Sequence, residues 1–422
     1  MSFRFRRLTP ETLHALKRPT SSDNSGMAER IVGDIRRGGQ VALRRWSRRL
    51  GDLQAGEPLV RDSSELHAAL VRLAPERRAL LERVAGRIES FARAQRDALR
   101  EIDVAVPGGR AGHWLAPVET AGCYAPGGRF PLPSSVLMTA VTARAAGVRT
   151  VWIANPRPTP EAMAAAALAE ADGLLAAGGA QAVAALAVGA GPVPPCDVVV
   201  GPGGAWASAA KRVIAGSVGI DFIAGPSELV VLADLSADPE TIAADLLAQA
   251  EHDPLALPIL VATEADLVRS VEQAMGRRLA DLPTREVARR ALANGAAVLA
   301  RDIEKAVAAC DALAPEHLQI VTRQAPAVAR RCRHYGAIFI GPHSAEVVAD
   351  YGAGPNHTLP TGEGARFTGG LSVFHFLRVR TWLAIDDPGS AAGLYDDAAA
   401  MAAMEGLEGH RRAALLRRRG SA

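Results

Sequence analysis

The chain reads as an α/β protein with two parallel-sheet domains, one inserted in the other, and helical extensions at both ends. Short apolar strands alternate with helices, and most strands close on a glycine- or proline-rich loop, the pattern of a parallel sheet wound by helices. The chain has 422 residues, too many for one ordinary core, so two domains or an interlocked pair are needed. The alternation falls into two sets. This puts an inserted domain at 122–229 inside a domain made of 22–121 and 230–370, with an extension at 1–21 and a basic, helical tail at 371–422.

The elements follow in order. Residues 27–50 form one helix, with Ile31, Val32, Ile35, Val41 and Leu43 between charges, and 66–99 form a longer one carrying Arg and Glu on its outer positions. Strands are expected at 121–124, 148–153, 196–200 and 221–225, with a helix at 162–171. The uncharged stretch 173–195 reads as a strand and helix broken by glycine, not as a membrane span. A second set places strands at 229–232, 259–262, 297–299, 320–321 and 337–340, with helices at 242–250 and 265–275 between them.

Composition narrows the function. Lys and Arg total 48 against 45 Asp and Glu, a net charge of +3, so no case arises for a nucleic-acid or membrane partner. Aromatics are 4% of residues, too few for base-stacking platforms. Cys123, Cys196, Cys310 and Cys332 are widely spaced, so neither a thiolate zinc site nor a disulfide framework is indicated. The basic start lacks the apolar segment of a signal peptide, and free thiols in a reducing cytoplasm are the simple reading.

Two strings set a histidine beside a carboxylate in surroundings rich in alanine, leucine and valine: Gln249-Ala-Glu-His252-Asp253 and Pro315-Glu316-His317. Burying such groups is costly unless they are paired or bind a metal, which points to metal-assisted or acid–base chemistry. Gln249 and His252 are three apart on a helix and share a face; Asp253-Pro254 stops that helix with His252 at its edge. Glu316-His317 follows Pro315, as at the start of a helix or turn, where a glutamate also suits the helix dipole. Asp350 lies after an apolar strand and a turn, His357 in a Gly/Pro-rich loop, and His410 in the basic tail. Alone, each also has an ordinary reading as a surface, turn or loop residue.

Together with their neighbours, these strings resemble the histidinol dehydrogenase family nearly end to end. The resemblance is carried by Tyr124-Ala-Pro-Gly-Gly, Pro133-Ser-Ser-Val-Leu-Met138, Gly178-Gly-Ala-Gln181 and Val200-Gly-Pro-Gly203. It continues through Lys211, Val218-Gly-Ile-Asp-Phe-Ile-Ala-Gly-Pro-Ser227-Glu228, Gln249-Ala-Glu-His252, Ala314-Pro-Glu-His-Leu318 and Asp350-Tyr351 with Gly354-Pro-Asn-His357.

The resemblance implies one Zn2+ per subunit held by Gln249, His252, Asp350 and His410, with the substrate's imidazole and amine nitrogens completing the shell. It implies NAD bound in an atypical Rossmann-like domain with contacts from Tyr124 and Gln181. L-histidinol would be oxidised by four electrons, through the aldehyde, to L-histidine, with His317 as general base and Glu316 activating water. Ser227 and Glu405 match substrate-contacting positions, as do the four zinc ligands and His317. The family's C-terminal tail reaches into a partner, which implies a domain-swapped homodimer with shared sites, so that His410 meets the other ligands only across that interface. A helix would set Glu405 and His410 about a turn and a half apart. Where the family commonly has an asparagine touching NAD, this chain has Gly204, which lacks the amide's hydrogen bonds. Two alternatives stay open: a paralogue oxidising another small polar alcohol such as a sulfonated diol, and a catalytically idle zinc- or metabolite-binding protein.

Overall fold

In the computed structural model, residues 3–16, 18–19, 24–127 and 131–419 are described. Gly128 of the loop after Tyr124 and the first two residues of the N-terminal extension lie outside them. The chain divides into two compact units, Met1–Ala94 with Glu119–Phe376, and Gln95–Val118 with Leu377–Ala422.

The larger unit holds two six-stranded sheets. The middle one runs Val60–Asp62, Gly173–Leu175, Thr150–Ala154, Thr120–Tyr124, Val198–Val200, Gly219–Ile220. It is parallel except at the first pair. The strand expected at 221–225 is instead the short Gly219–Ile220, and the Asp221 carboxylate pairs with Lys211 and accepts the Gly201 N–H. Helix Ser25–Arg49, kinked where Gly39 takes φ +50°, packs Ile31, Ile35, Leu43 and Trp46 against the alanine-rich helices Gly179–Val188 and Ala205–Ile214. Residues 25–62 therefore side with the middle sheet, not with the flanking domain to which the linear division 22–121 assigned them. An apolar stripe shows that a helix is covered, but not by what.

The second sheet is parallel throughout, in the order Arg6–Leu8, Ala296–Leu299, Leu257–Ala262, Glu228–Ala233, His317–Val321, Ala337–Ile340. Its inner strands are buried along their length, as in a sheet covered on both faces. The N-terminal extension thus supplies an edge strand and a 3-10 turn, Pro10–Ala15, in place of the expected helical segment; three residues are too few to show a period.

The smaller unit corrects the reading of the tail. Leu377–Ile385 is a strand, antiparallel to Gly109–Pro117, which pairs in turn with Ile102–Val106. Leu377, Val379, Thr381, Leu383 and Ile385 alternate with Arg378, Arg380, Trp382 and Ala384, a period of two that outweighs the basic, helix-like composition. Helices Ala392–Met404 and Glu408–Arg419 follow. The long helix expected at 66–99 is two, Ser63–Arg72 and Pro75–Asp97, because Pro75 suits a helix start and not an interior.

Candidate active site

A cavity of about 700 Å3 opens between the two sheets of the larger unit. The middle sheet presents carboxyl-end loops to it: Tyr124, Gly179 and Pro202–Ala207. Thr120–Tyr124 and Val198–Val200 flank the point where strand order reverses, the usual ligand crevice of such sheets. The other sheet presents amino ends, since Ser227 precedes Glu228–Ala233 and Glu316 precedes His317–Val321.

Of the helix or turn start expected at Glu316–His317, the structure shows a bend at Glu316 leading into a strand. Ala314 takes φ +43° at the end of helix Ile303–Leu313, and His317 is the first residue of a central strand. Strand pairing sets His317 beside Leu229 and so brings both side chains to Glu228. The Glu228 N–H donates to Glu316 Oε2 at 2.8 Å, and the Glu228 carbonyl lies 3.0 Å from His317 Nδ1. In the neutral ring Nδ1 therefore carries the proton on that bond, and Nε2 keeps the lone pair. Nε2 is buried without a partner, 3.9 Å from Asp350 Oδ1. Burial alone would lower the imidazole pKa. Glu346, Glu316 and Asp350 together outweigh burial and hold it well above the ordinary value.

Glu346 was missed by sequence reasoning. It lies 3.6 Å from His317 Nδ1; burial pushes its carboxyl up while the imidazole pulls it back down. It stands four residues before Asp350 on the short helix Glu346–Asp350, and that spacing, which puts both on one face, was the available signal. As expected, Asp350 follows an apolar strand, Ala337–Ile340, and a turn, and it ends this short helix. His357 braces it, with Nδ1 2.8 Å from the Asp350 carbonyl and Nε2 3.2 Å from Ser135 Oγ.

Helix Pro239–His252 is started by Asp238, whose carboxylate accepts the Glu240 N–H, and ends at His252, where Asp253 turns extended. His252 and Asp350 line the same cavity. One turn back, Gln249 is 1% exposed, and neither its Oε1 nor its Nε2 has a partner. Leaving such an amide unmet costs about 1–3 kcal/mol per group, and its oxygen is a donor suited to a cation. Amide oxygen, imidazole and carboxylate are donors that fit a zinc-like cation. A tighter cluster, His317, Glu346 and Asp350, has ligand atoms all within 4.8 Å of one another and shares only Asp350 with the expected set.

On the middle-sheet side, the Tyr124 hydroxyl accepts the Gly179 N–H at 3.0 Å. Gln181 is buried and does not line the cavity; its Nε2 donates to Asp52. Gly201 takes φ +118°, and a Cβ there would lie 1.9 Å from the Tyr124 carbonyl. Buried Lys211 and Asp221 grip that residue, Lys211 donating to its carbonyl and Asp221 accepting its N–H. Gly204 begins helix Ala205–Ile214 at the cavity wall, with open space where a side chain would go, so nothing has grown in to replace an amide. Glycine-lined helix starts of this kind suit a dinucleotide's phosphates.

Glu405 and His410 are exposed in the smaller unit. They are not on one helix: Glu405 caps Ala392–Met404, Gly406 takes φ +74°, and a new helix starts at Glu408. All four cysteines are buried and unpaired, and burial pushes the Cys123 thiol up to about 12, which suits packing.

Residues 16–418 match the family model described as histidinol dehydrogenase. The chain is 42% identical over 405 residues to a histidinol dehydrogenase of Cereibacter sphaeroides, covering 94% of this chain and 93% of that one. It is 44% identical over 391 residues to one of Thermus thermophilus, covering 92% and 93%. The solved histidinol dehydrogenase of Elizabethkingia anophelis aligns with a TM-score of 0.92 at 28% identity, over 99% of this chain and 98% of that one.

Proposed function

The chain belongs to the histidinol dehydrogenase family, and from that premise we propose that it oxidises L-histidinol through the aldehyde to L-histidine with two NAD, using one zinc ion per subunit. The observation that carries this reading is the pair Glu316–His317 lining one cavity with His252 and Asp350, with the buried, unpartnered amide of Gln249 one helical turn before His252. Gln249, His252 and Asp350 would hold the zinc together with His410 of a second subunit, and Tyr124, Gly204 and the helix starts at Gly179 and Ala205 would cradle NAD. Gln181 would act at one remove, through Asp52, which also accepts the Gly178 N–H. Zinc would orient the amino alcohol by its nitrogens, and NAD would accept the hydride.

The chain's own residues then have separable tasks. His317 Nε2 takes the hydroxyl proton; its Nδ1–H stays on the Glu228 carbonyl, which fixes the ring and its tautomer. Glu316, anchored on the Glu228 N–H by one oxygen, activates water for addition to the aldehyde. Ser227, at the cavity wall, contacts the substrate, and Glu405 of the partner subunit meets its ammonium group.

A homodimer with shared sites is part of this reading. Ile102, Val104, Trp114, Val379, Leu383, Met401 and Leu416 are large apolar side chains left exposed in the smaller unit, as on a surface that a partner covers. Among the described residues no helix is long and apolar enough to cross a membrane, and we assign the enzyme to the cytoplasm.

The test is a substrate panel. Zinc-loaded protein with NAD should form NADH from histidinol with kcat/KM at least about 100-fold above other amino alcohols and diols, because a polar site rejects analogues that leave its groups unpaired. A sulfonated diol leading the panel would point to the paralogue, and no NADH from any alcohol to an idle binder.

A further inference from the structure

Glu316 and His317 hang on one residue's main chain. The N–H of Glu228 holds Glu316 and its carbonyl holds His317, so any displacement of Glu228 moves both together. Glu228 is the first residue of its strand, where the ladder grips least. Its carboxylate, on a side chain 7% exposed, does the rest: it accepts Arg18 Nη1 at 2.6 Å and the Gly362 N–H at 3.3 Å.

The same guanidinium reaches further. Arg18 Nη2 donates to the Leu313 carbonyl, three residues before Glu316, and lies 3.7 Å from Glu363 Oε1. One planar fork thus ties together the strand start at Glu228, the chain entering Glu316–His317, and the loop beyond Thr361, a cavity-lining residue. The fork geometry matters, because an ammonium is a single point charge and cannot span two acceptors in fixed directions.

We propose that Arg18 is a positioning residue: its guanidinium, held between the Glu228 carboxylate and the Leu313 carbonyl, sets where Glu316 and His317 stand relative to the bound alcohol. This rests on the proposed histidinol oxidation and adds to it a residue from the N-terminal extension that touches no substrate. Misplacing reacting groups by 1 Å lowers rates by up to about 100-fold, so loss of the fork is visible in turnover.

The experiment compares wild type with Arg18→Ala, Arg18→Lys and Glu228→Gln, all zinc-loaded. It reads kcat and KM for histidinol and NAD, zinc content, melting temperature, and the imidazole nitrogen signals of His317 in protein labelled with 15N-histidine. Arg18→Ala should lose about 10- to 100-fold in kcat. Its KM values and zinc content should stay within about twofold, and the His317 Nδ1–H signal should shift. Arg18→Lys should recover part of kcat by keeping one of the two contacts. Unchanged kcat in Arg18→Ala, or a fall matched by equal loss of zinc or of folded protein, overturns the proposal. If Arg18→Ala does not fold, Arg18→Lys and Glu228→Gln carry the same comparison. If wild type makes no NADH from histidinol, the functional reading fails separately, and a His317 signal unmoved by loss of Arg18 still overturns the positioning role.

Discussion

Replacing His317 with alanine should lower kcat for histidinol oxidation by about 100- to 10,000-fold, the range for loss of a general base, while zinc content and melting temperature stay near wild type. The argument is geometric. Nδ1 is committed to the Glu228 carbonyl, so only Nε2 can take a proton, and Nε2 is the buried nitrogen without a partner. The ring lies nearly parallel to Phe339, with centroids 6.0 Å apart. The pH dependence carries a sign. Burial disfavours the charged imidazole, but Glu346, Glu316 and Asp350 favour it more strongly, and a protonated imidazole is no base. Activity should therefore rise with pH, and the zinc-free protein should titrate His317 above 6.5, its ordinary value. A bound cation would share the charge of Asp350 and move that titration down. If His317→Ala lost zinc in proportion to activity, His317 would be a ligand, and the cluster His317–Glu346–Asp350 would be the metal centre instead.

Gln249→Leu should abolish stoichiometric zinc binding and, with it, turnover, yet stabilise the zinc-free protein by about 1–3 kcal/mol. These opposite signs follow from one observation. An amide 1% exposed, with both polar atoms unmet, is a burden to the fold until something binds it. Leucine is of similar size and demands no partner. His252→Ala should lose zinc as well, but without the gain in stability, because His252 is exposed. Chemical denaturation of chelated protein, read beside metal analysis of the same variants, checks both halves. A Gln249→Leu protein that keeps zinc would remove Gln249 from the ligand set, and one destabilised without zinc would show that the amide is already satisfied.

The sequence exposed the site more fully than it exposed the fold around it. The alternation of apolar strands with Gly/Pro loops reported both parallel sheets, because strands buried on two faces need continuous apolar runs. It missed the three-stranded sheet of Ile102–Val106, Gly109–Pro117 and Leu377–Ile385, where Arg378 and Arg380 resembled a charged helix face. It also misplaced Ser25–Arg49, since amphipathicity does not name the covering layer. Of the residues singled out by their motifs, His252, Glu316, His317 and Asp350 line the cavity, and Gln249 lies one helical turn before His252. Glu346, Arg18 and Glu228 acquired roles only in three dimensions: Arg18 meets Glu228 across 210 residues of sequence, and no local pattern encodes that contact. Glu405 and His410 were read as a turn and a half apart on one helix, but Gly406 breaks the helix between them.

The most direct test is stoichiometric. Zinc-loaded protein given limiting L-histidinol and excess NAD should yield two NADH for each histidinol consumed, with histidine as the product, and the yield should vanish on chelation and return with zinc. One NADH per histidinol with free aldehyde released, or NADH formation indifferent to the metal, would contradict a single cavity in which Glu316 and His317 serve both oxidations of a zinc-held substrate.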